Sequence, residues 1–272
     1  MIEAMKKIGL AAAVAMIVAA TPVASIAAEA TTDEASTLSA SIDLPILSAY
    51  VWRGQVLNDE GVVQPSATIS KGGFSLNYWQ NFALTDQSTG DEFEFTEHDI
   101  TVSYSFACPL TKADVTFGVV NYDFPNPADA ETEPALIADT REAFVTFGWS
   151  CPANPTLAIY YDFKEADGFY ANLGIGHSIG LNDQISLDLG ANAGWADSDW
   201  NTYYFPSETE QDEEFVDANF TVALPIALND SWTITTAAQY MMLIDNDIED
   251  SADVAYLDKE QLVGSVKASY TF

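Results

Sequence analysis

The chain has 272 residues, and its 41 acidic side chains against 9 basic ones give a formal net charge of −32 at pH 7. A field this negative repels phosphate backbones and attracts cations, which excludes nucleic acid as a partner. The length suits one large all-β domain, because no Pro- or Ser-rich linker and no exact repeat divides the sequence.

The N-terminus has the features of a secretory signal peptide. Lys6 and Lys7 precede an apolar run, and small residues follow as far as Ala28. We therefore expect residues 1–28 to be a signal peptide and residues 29–37 to be a short disordered segment. The apolar run is too short for a membrane-spanning helix, and no later stretch reaches the ~18 to 20 apolar residues that such a helix needs. The exported chain therefore stays in the periplasm or crosses a membrane as strands.

Apolar and polar residues then alternate with a period of two, which is typical of strands with one apolar face. The alternation predicts about twelve strands, most of them near the ~9 to 11 residues of a tilted transmembrane strand. The predicted spans are 40–53, 63–70, 74–84, 98–107, 113–124, 141–150, 156–164, 168–179, 184–196, 214–224, 231–243 and 259–272.

The connections between these strands alternate between short turns and mostly longer, acidic loops. The short turns are 71–73, 108–112, 151–155, 180–183 and 225–230, and the loops are 54–62, 85–97, 125–140, 165–167, 197–213 and 244–258. Short turns at one rim and long loops at the other are the layout of an outer-membrane barrel. Twelve strands place both termini at the short-turn, periplasmic rim.

The C-terminus supports a closed barrel. Residues 266–272 alternate and end on Phe272, and a barrel needs its last strand to reach the rim and pair with the first. Aromatic residues at the strand ends predict two interfacial girdles. They are Phe74, Phe106, Trp149, Trp232 and Phe272 at the short-turn rim, and Trp52, Phe82, Phe163, Trp195 and Tyr240 at the other. A soluble sandwich would show the same alternation but explains neither the two rims nor the terminal aromatic. The predicted fold over 38–272 is an all-β, up-and-down antiparallel barrel in the bacterial outer membrane.

One local motif resembles a known family. The segment SAYVWRG at 48–54, followed by Gln64-Pro65 and the run GFSLNYW at 73–79, resembles the TorF family of outer-membrane porins. The resemblance covers roughly residues 40–80 and implies a porin-like barrel, without catalytic residues to carry over.

The alternation also predicts which charged side chains face the lumen. Six are acidic (Asp99, Asp114, Glu142, Asp162, Asp188 and Asp217) and three are basic (Arg53, Arg141 and Lys267). A carboxylate-lined pore favours cations, whereas charges that pair across the lumen would plug a barrel of this size. Asp43 and Lys267 are expected to form an ion pair near the periplasmic rim.

Cys108 and Cys151 are each followed by proline and lie in consecutive short turns, so we expect a disulfide between them in this oxidising compartment. No histidine lies near either cysteine in the sequence, so a metal site is not expected there. Asp245-x-Asp247-x-Glu249 has the spacing of calcium ligands, but it lacks the glycine and closing glutamate of the calcium loop. We therefore expect a solvated acidic loop; divalent ions bridging such loops to anionic lipid headgroups are a looser alternative.

An enzyme is not expected. The relevant comparison is an outer-membrane phospholipase, which needs a histidine beside a serine. His177 and Ser178 are adjacent, and neighbouring strand residues point to opposite faces, so the pair cannot share a proton. No metal or other cofactor is predicted.

The sequence thus predicts a porin-like channel for passive diffusion of small cationic or neutral solutes. The alternative is a closed structural or adhesive barrel with cation-binding acidic loops. The expected partners are outer-membrane lipid, small solutes, and the barrel-assembly machinery through the strand that ends at Phe272.

Overall fold

The computed structural model describes residues 38–86, 93–125, 138–207 and 210–272. The predicted signal peptide and the segment 29–37 lie outside the described residues. The described residues form fifteen strand segments and two helices in chain order. They are β1 Ser39–Leu47, β2 Tyr50–Trp52, β3 Gln55–Asn58, β4 Val62–Val63, β5 Ser66–Lys71, β6 Phe74–Ala83, β7 Glu94–Ala107, β8 Asp114–Asp123, β9 Thr140–Gly148, β10 Thr156–Asp162, β11 Gly168–Gly180, β12 Ser186–Ala196, α1 Ser198–Tyr204, β13 Glu214–Ala227, β14 Trp232–Leu243, α2 Asn246–Ala255 and β15 Glu260–Thr271. Neither described helix is long and apolar enough to cross a membrane.

The strands form a closed antiparallel barrel. β4 and β5 are two parts of one barrel strand, interrupted at Pro65, which has no N–H to donate. Counting them once and leaving out β2 and β3, which form a separate small sheet, gives the predicted twelve strands. β15 pairs with β1, and the N–H of Phe272 donates to the carbonyl of Ala40 at 2.9 Å. The predicted closure of the last strand on the first is confirmed.

The outer surface of the barrel is apolar. On β14, Trp232, Tyr240 and Met242 are exposed, while Thr235 and Gln239 between them are buried inside. Most of the other strands also expose aliphatic or aromatic side chains on the outside, among them Ile100, Phe117 and Phe220. This band, closed on itself without a free edge, is the surface that a transmembrane barrel presents to lipid.

A charge in the middle of this band should be costly. Ile175 lies midway along β11 on the outer face, so Ile175→Arg is expected to lower the free energy of unfolding in lipid vesicles by about 2–4 kcal/mol. Leu181→Arg, in the exposed turn at the end of the same strand, is the control and should cost about 0–1 kcal/mol. Urea titrations of the two refolded variants measure the difference. Equal costs would contradict a lipid-facing position for Ile175.

The first predicted strand is too long. It was expected over 40–53, but β1 ends at Leu47 and the chain then leaves the barrel wall. Ser48 closes the wall by donating its N–H to Gly264 and accepting the N–H of Gly264 on its hydroxyl, both at 2.9 Å. The chain returns to the wall at Val62, opposite Leu47. Trp52, predicted in the outer aromatic girdle, is instead buried inside the barrel.

Candidate functional site

Residues 49–60, called here the lumen hairpin, fold into the interior of the barrel. Tyr50, Val51 and Trp52 of β2 are all buried in succession, which a wall strand with one lipid face cannot be. β2 pairs with β3 in a sheet of its own, with the turn at Arg53 and Gly54. Both turn residues have positive φ, +47° and +84°. Glycine adopts this conformation without strain, but for arginine it costs free energy. Contacts with the surrounding protein must therefore hold Arg53 in place.

Arg53 is anchored to the barrel wall by an ion pair. Its two terminal nitrogens donate to the two carboxylate oxygens of Glu142 on β9 at 2.6 and 2.8 Å. The hydroxyl of Tyr122 donates to the same carboxylate at 2.9 Å. Both charged side chains are sealed from solvent, with 1% and 0% exposure. A two-point arginine–carboxylate contact of this kind fixes both position and orientation.

Aromatic rings enclose the guanidinium on its remaining sides. Its carbon lies 4.5 Å from the ring centre of Trp52, 4.2 Å from Tyr160 and 4.5 Å from Tyr170, with Trp200 at 6.0 Å. Cation–π contacts within about 6 Å strengthen when water is excluded. The side chains around the guanidinium of Arg53 are called here the Arg53 cage; they are Trp52, Tyr122, Glu142, Tyr160, Tyr170 and Trp200.

Helices α1 and α2, from two connections at the loop rim, pack onto the lumen hairpin. Trp52 lies 6.2 Å from Trp200 and 5.2 Å from Tyr204 of α1, measured between ring centres. The hydroxyl of Tyr256, directly after α2, donates to Gln55 Oε1 at 2.6 Å. The hairpin is therefore held between the barrel wall and the two helices.

The glycine at the hairpin turn is tightly enclosed. A Cβ on Gly54 would lie 2.6 Å from Leu243 Cδ2 and 3.2 Å from Asp217 Cβ, at a φ that side chains rarely adopt. We expect Gly54→Ala to lower the free energy of unfolding by about 1–3 kcal/mol. Gly180→Ala, where an added Cβ meets nothing within 4 Å, should change it little. Thermal unfolding in detergent compares the two, and an undisturbed Gly54→Ala protein would contradict the enclosed turn.

The wall carboxylates in this half of the lumen receive hydrogen bonds. Asp162 accepts from the hydroxyls of Thr140 and Tyr204, the first at 2.7 Å and the second at 2.8 Å. Asp217 accepts from the hydroxyl of Tyr170 at 2.8 Å and from Asn219 at 2.6 Å. Buried carboxylates with such donors are compensated for their loss of water.

Three predicted inward charges nearer the short turns, on β8, β12 and β15, are less buried. Asp188 is half-buried and accepts from Ser178 and Ser186. Asp43 and Lys267 form the predicted ion pair, with Nζ and Oδ1 3.8 Å apart. Asp114 is exposed at the start of β8, at the short-turn rim.

Two of the predicted lumen residues occupy other places. Arg141 was expected to face inward but is exposed, and its Nε donates to Asn121 at 2.8 Å. Its neighbour Glu142 points inward, and successive strand residues alternate, so both cannot face the lumen. Arg53 is inside the barrel but on the lumen hairpin, not on the wall.

The predicted disulfide is absent, since Cys108 and Cys151 are both free. Each short turn is closed by its own backbone bonds, and the indole of Trp149 in one turn donates to the carbonyl of Thr111 in the other. The turns are thus neighbours without a sulfur bridge. Hydrogen bonds to Thr111 lower the pKa of the Cys108 thiol, and the bond to the Thr111 side chain contributes more than the bond to its backbone.

The segment 245–249 is the start of helix α2 and not a calcium loop. The carboxylate of Asp245 caps the helix by accepting the N–H groups of Asp247 at 2.8 Å and Ile248 at 3.3 Å. Lys259 lies against this helix, and its hydrogen bond to Asp253 raises the pKa of the ammonium group. Within the described ranges, no group of three or more His, Cys, Asp or Glu side chains could hold a metal ion.

His177 and Ser178 lie on opposite faces, as the alternation predicts. The exposed ring of His177 meets the carbonyl of Pro152 at 2.7 Å, while Ser178 donates to Asp188 inside the barrel. This pair therefore cannot act together on one substrate atom.

A closed twelve-stranded barrel with an apolar outer band and a polar interior is an outer-membrane β-barrel, and the protein is located in the bacterial outer membrane. The chain belongs to the family described as MltA-interacting protein MipA, whose profile matches residues 59–272. Of the three elements that resemble the TorF family, the segment 48–54 lies outside that match, and the TorF assignment stays a prediction.

Solved structures with a similar fold include an outer membrane channel from Pseudomonas putida F1, at 10% identity and a TM-score of 0.49, covering 90% of this chain and 100% of that chain. The NanC porin has 10% identity and a TM-score of 0.49, covering 85% and 98%. Outer membrane phospholipase A from Escherichia coli has 10% identity and a TM-score of 0.46, covering 90% and 95%. No curated protein matches the chain significantly.

Proposed function

We propose that this protein is a porin-like channel for small cationic or neutral solutes, closed by the lumen hairpin and opened when the hairpin moves. The observation that carries the proposal is a contrast within the lumen. On β11 and β12, the inward polar side chains of Asn172, Asp188 and Asn192 are partly solvent-accessible. Glu142, Asp162 and Asp217, nearer the loops, are fully buried beneath the hairpin and helices. A partly solvated vestibule on the β11–β12 side, covered at the loop rim by one folded segment, is the layout of a gated pore.

The charges on the wall support a preference for cations. The positive charge of Arg53 balances the negative charge of Glu142, and Arg53 belongs to the hairpin rather than to the wall. When the hairpin leaves, its positive charge leaves with it, and the wall keeps the carboxylates of Glu142, Asp162 and Asp217. Acidic rings of this kind select cations in other pores.

Planar-bilayer recordings test the proposal. The intact protein should be silent for most of the time, with discrete openings whose reversal potential in a salt gradient shifts toward the cation. Openings that favour anions would contradict the proposed cation selectivity. A barrel without the hairpin that never conducts would contradict the proposed channel activity.

The sealed hairpin also favours a second candidate, a closed barrel with a structural role. The family's name reports an interaction with MltA, so this role would be to hold an MltA-like partner at the membrane. Co-purification of that partner with the intact protein, together with silence in the bilayer even without the hairpin, would support it.

For assembly, we propose that the barrel-assembly machinery recognises β15 through Phe272, so that a chain lacking Phe272 inserts less efficiently in cells.

A further inference from the structure

Glu97 and Asp99 form an unusual pair on the inner face of β7. They lie two residues apart, which places both side chains on the same face of the strand. Their exposures are 3% and 1%. Two ionised carboxylates at successive inward positions of one strand repel strongly where water is excluded.

Asp99 differs from the other buried carboxylates of the lumen in having no donor. Glu142, Asp162 and Asp217 each accept two or more hydrogen bonds from the protein. Neither oxygen of Asp99 accepts one from any N–H or O–H group of the residues described. The hydroxyl of Tyr50 donates to Glu97 at 2.7 Å and offers nothing to Asp99. A buried charge in this state costs several kcal/mol unless a positive partner is supplied.

A second observation points to the same wall. Thr101 is the next inward residue after Asp99 on β7, and its hydroxyl oxygen is buried without a partner in the described part of the chain. Asn77, opposite Thr101 on β6, has a side-chain oxygen in the same condition. Oxygen atoms free to coordinate therefore continue from the carboxyl pair along the wall.

Among the described residues, no Lys, Arg or His forms an ion pair with Glu97 or Asp99. The guanidinium of Arg53, inside the same barrel, is paired with both oxygens of Glu142. One divalent cation would balance two carboxylates, whereas a monovalent ion or a shared proton leaves one negative charge buried. Hard divalent cations, calcium above all, prefer oxygen ligands of this kind.

We propose that Glu97 and Asp99 bind a hard divalent cation inside the barrel, with calcium as the best fit to the oxygen ligands. The site is separate from the acidic loops at the rim. Because Tyr50 of the lumen hairpin donates to Glu97, the bound ion also steadies the hairpin's first strand against the wall. The site does not depend on whether the barrel conducts.

The test uses the full mature chain refolded in detergent, stripped with EDTA and titrated with calcium chloride in a calorimeter. The wild type should show one saturable step, which is lost in Glu97→Gln/Asp99→Asn. Asp217→Asn, which alters an equally buried carboxylate that already has donors, is the matched control and should keep the step. Weak binding by the acidic loops is common to all three proteins and cancels in the comparison.

Thermal unfolding provides the second measurement. It compares each protein with itself, with and without calcium, so the variants need not be as stable as the wild type. Calcium should raise the unfolding temperature of the wild type and of Asp217→Asn, and should leave Asp99→Asn unchanged. In EDTA, Asp99→Asn should unfold at a higher temperature than the wild type, since the unpaired charge is gone. If wild type and double variant take up calcium alike, or if calcium leaves the wild type's unfolding temperature unchanged, the pair holds a proton and the proposal is wrong.

Discussion

Replacing the lumen hairpin by a two-residue turn is expected to turn a mostly silent protein into a frequently conducting one. Leu47 and Val62 are paired across the gap that the hairpin leaves, so Ser48 and Gly61 can be joined by Asn-Gly, which suits a tight turn between antiparallel strands. The barrel ladder is untouched by this change. The deletion removes Trp52 and Arg53 from the lumen and opens the vestibule toward the loops.

Planar-bilayer recordings on the two proteins measure the outcome. We expect openings of the shortened barrel to be long-lived and cation-selective, because Glu142 then has no Arg53 beside it. Asp59→Asn/Glu60→Gln, in the exposed end of the same hairpin, is the control and should behave like the intact protein. A shortened barrel that is folded by circular dichroism but never conducts would leave the structural role as the better account.

The second large effect is expected from Glu142→Ala. This change leaves the guanidinium of Arg53 buried and unpaired, and breaking a buried ion pair from one side costs about 3–5 kcal/mol. The cation–π contacts of the Arg53 cage do not replace a carboxylate that accepts two hydrogen bonds. We therefore expect Glu142→Ala to lower the free energy of unfolding by that amount, and also to increase channel openings.

A double-mutant cycle separates the pair from its surroundings. Arg53→Met/Glu142→Leu removes both charges and should recover most of the stability, since apolar pairs of similar size often replace buried ion pairs at little cost. Arg141→Ala, next to Glu142 but on the outer face, should change stability by less than about 0.5 kcal/mol. Urea unfolding of the wild type, Arg53→Met, Glu142→Leu and the double variant gives the coupling energy. Additive effects of the two single changes would mean that the ion pair does not hold the hairpin.

The barrel was predictable from sequence because its physical cause is local. Each wall strand has one lipid face and one inner face, so its residues alternate, and the alternation survives in a single sequence. Phe272 and the short turns could be recognised for the same reason. Residues 49–58 lacked this signal because they are surrounded by protein, and a segment buried on every side does not alternate.

The candidate site was only partly predictable. The inward direction of Glu142, Asp162 and Asp217 follows from strand parity, but the partner of Glu142 lies 89 residues away on the lumen hairpin. Nothing local in the sequence links the two. One signal was available and could have been used: Tyr50, Val51 and Trp52 break the alternation directly before Arg53 and Gly54.

The position of the lumen hairpin is the central claim, and labelling with a membrane-impermeant thiol reagent tests it most directly. The two labelled positions are introduced in a Cys108→Ser/Cys151→Ser background. Val56→Cys lies inside the barrel, and Glu60→Cys lies at the exposed end of the lumen hairpin. We predict rapid labelling of Glu60→Cys in the native protein and much slower labelling of Val56→Cys, which becomes rapid only after denaturation. Equal labelling of both positions in the folded barrel would show that the hairpin lies outside the lumen and would contradict the account.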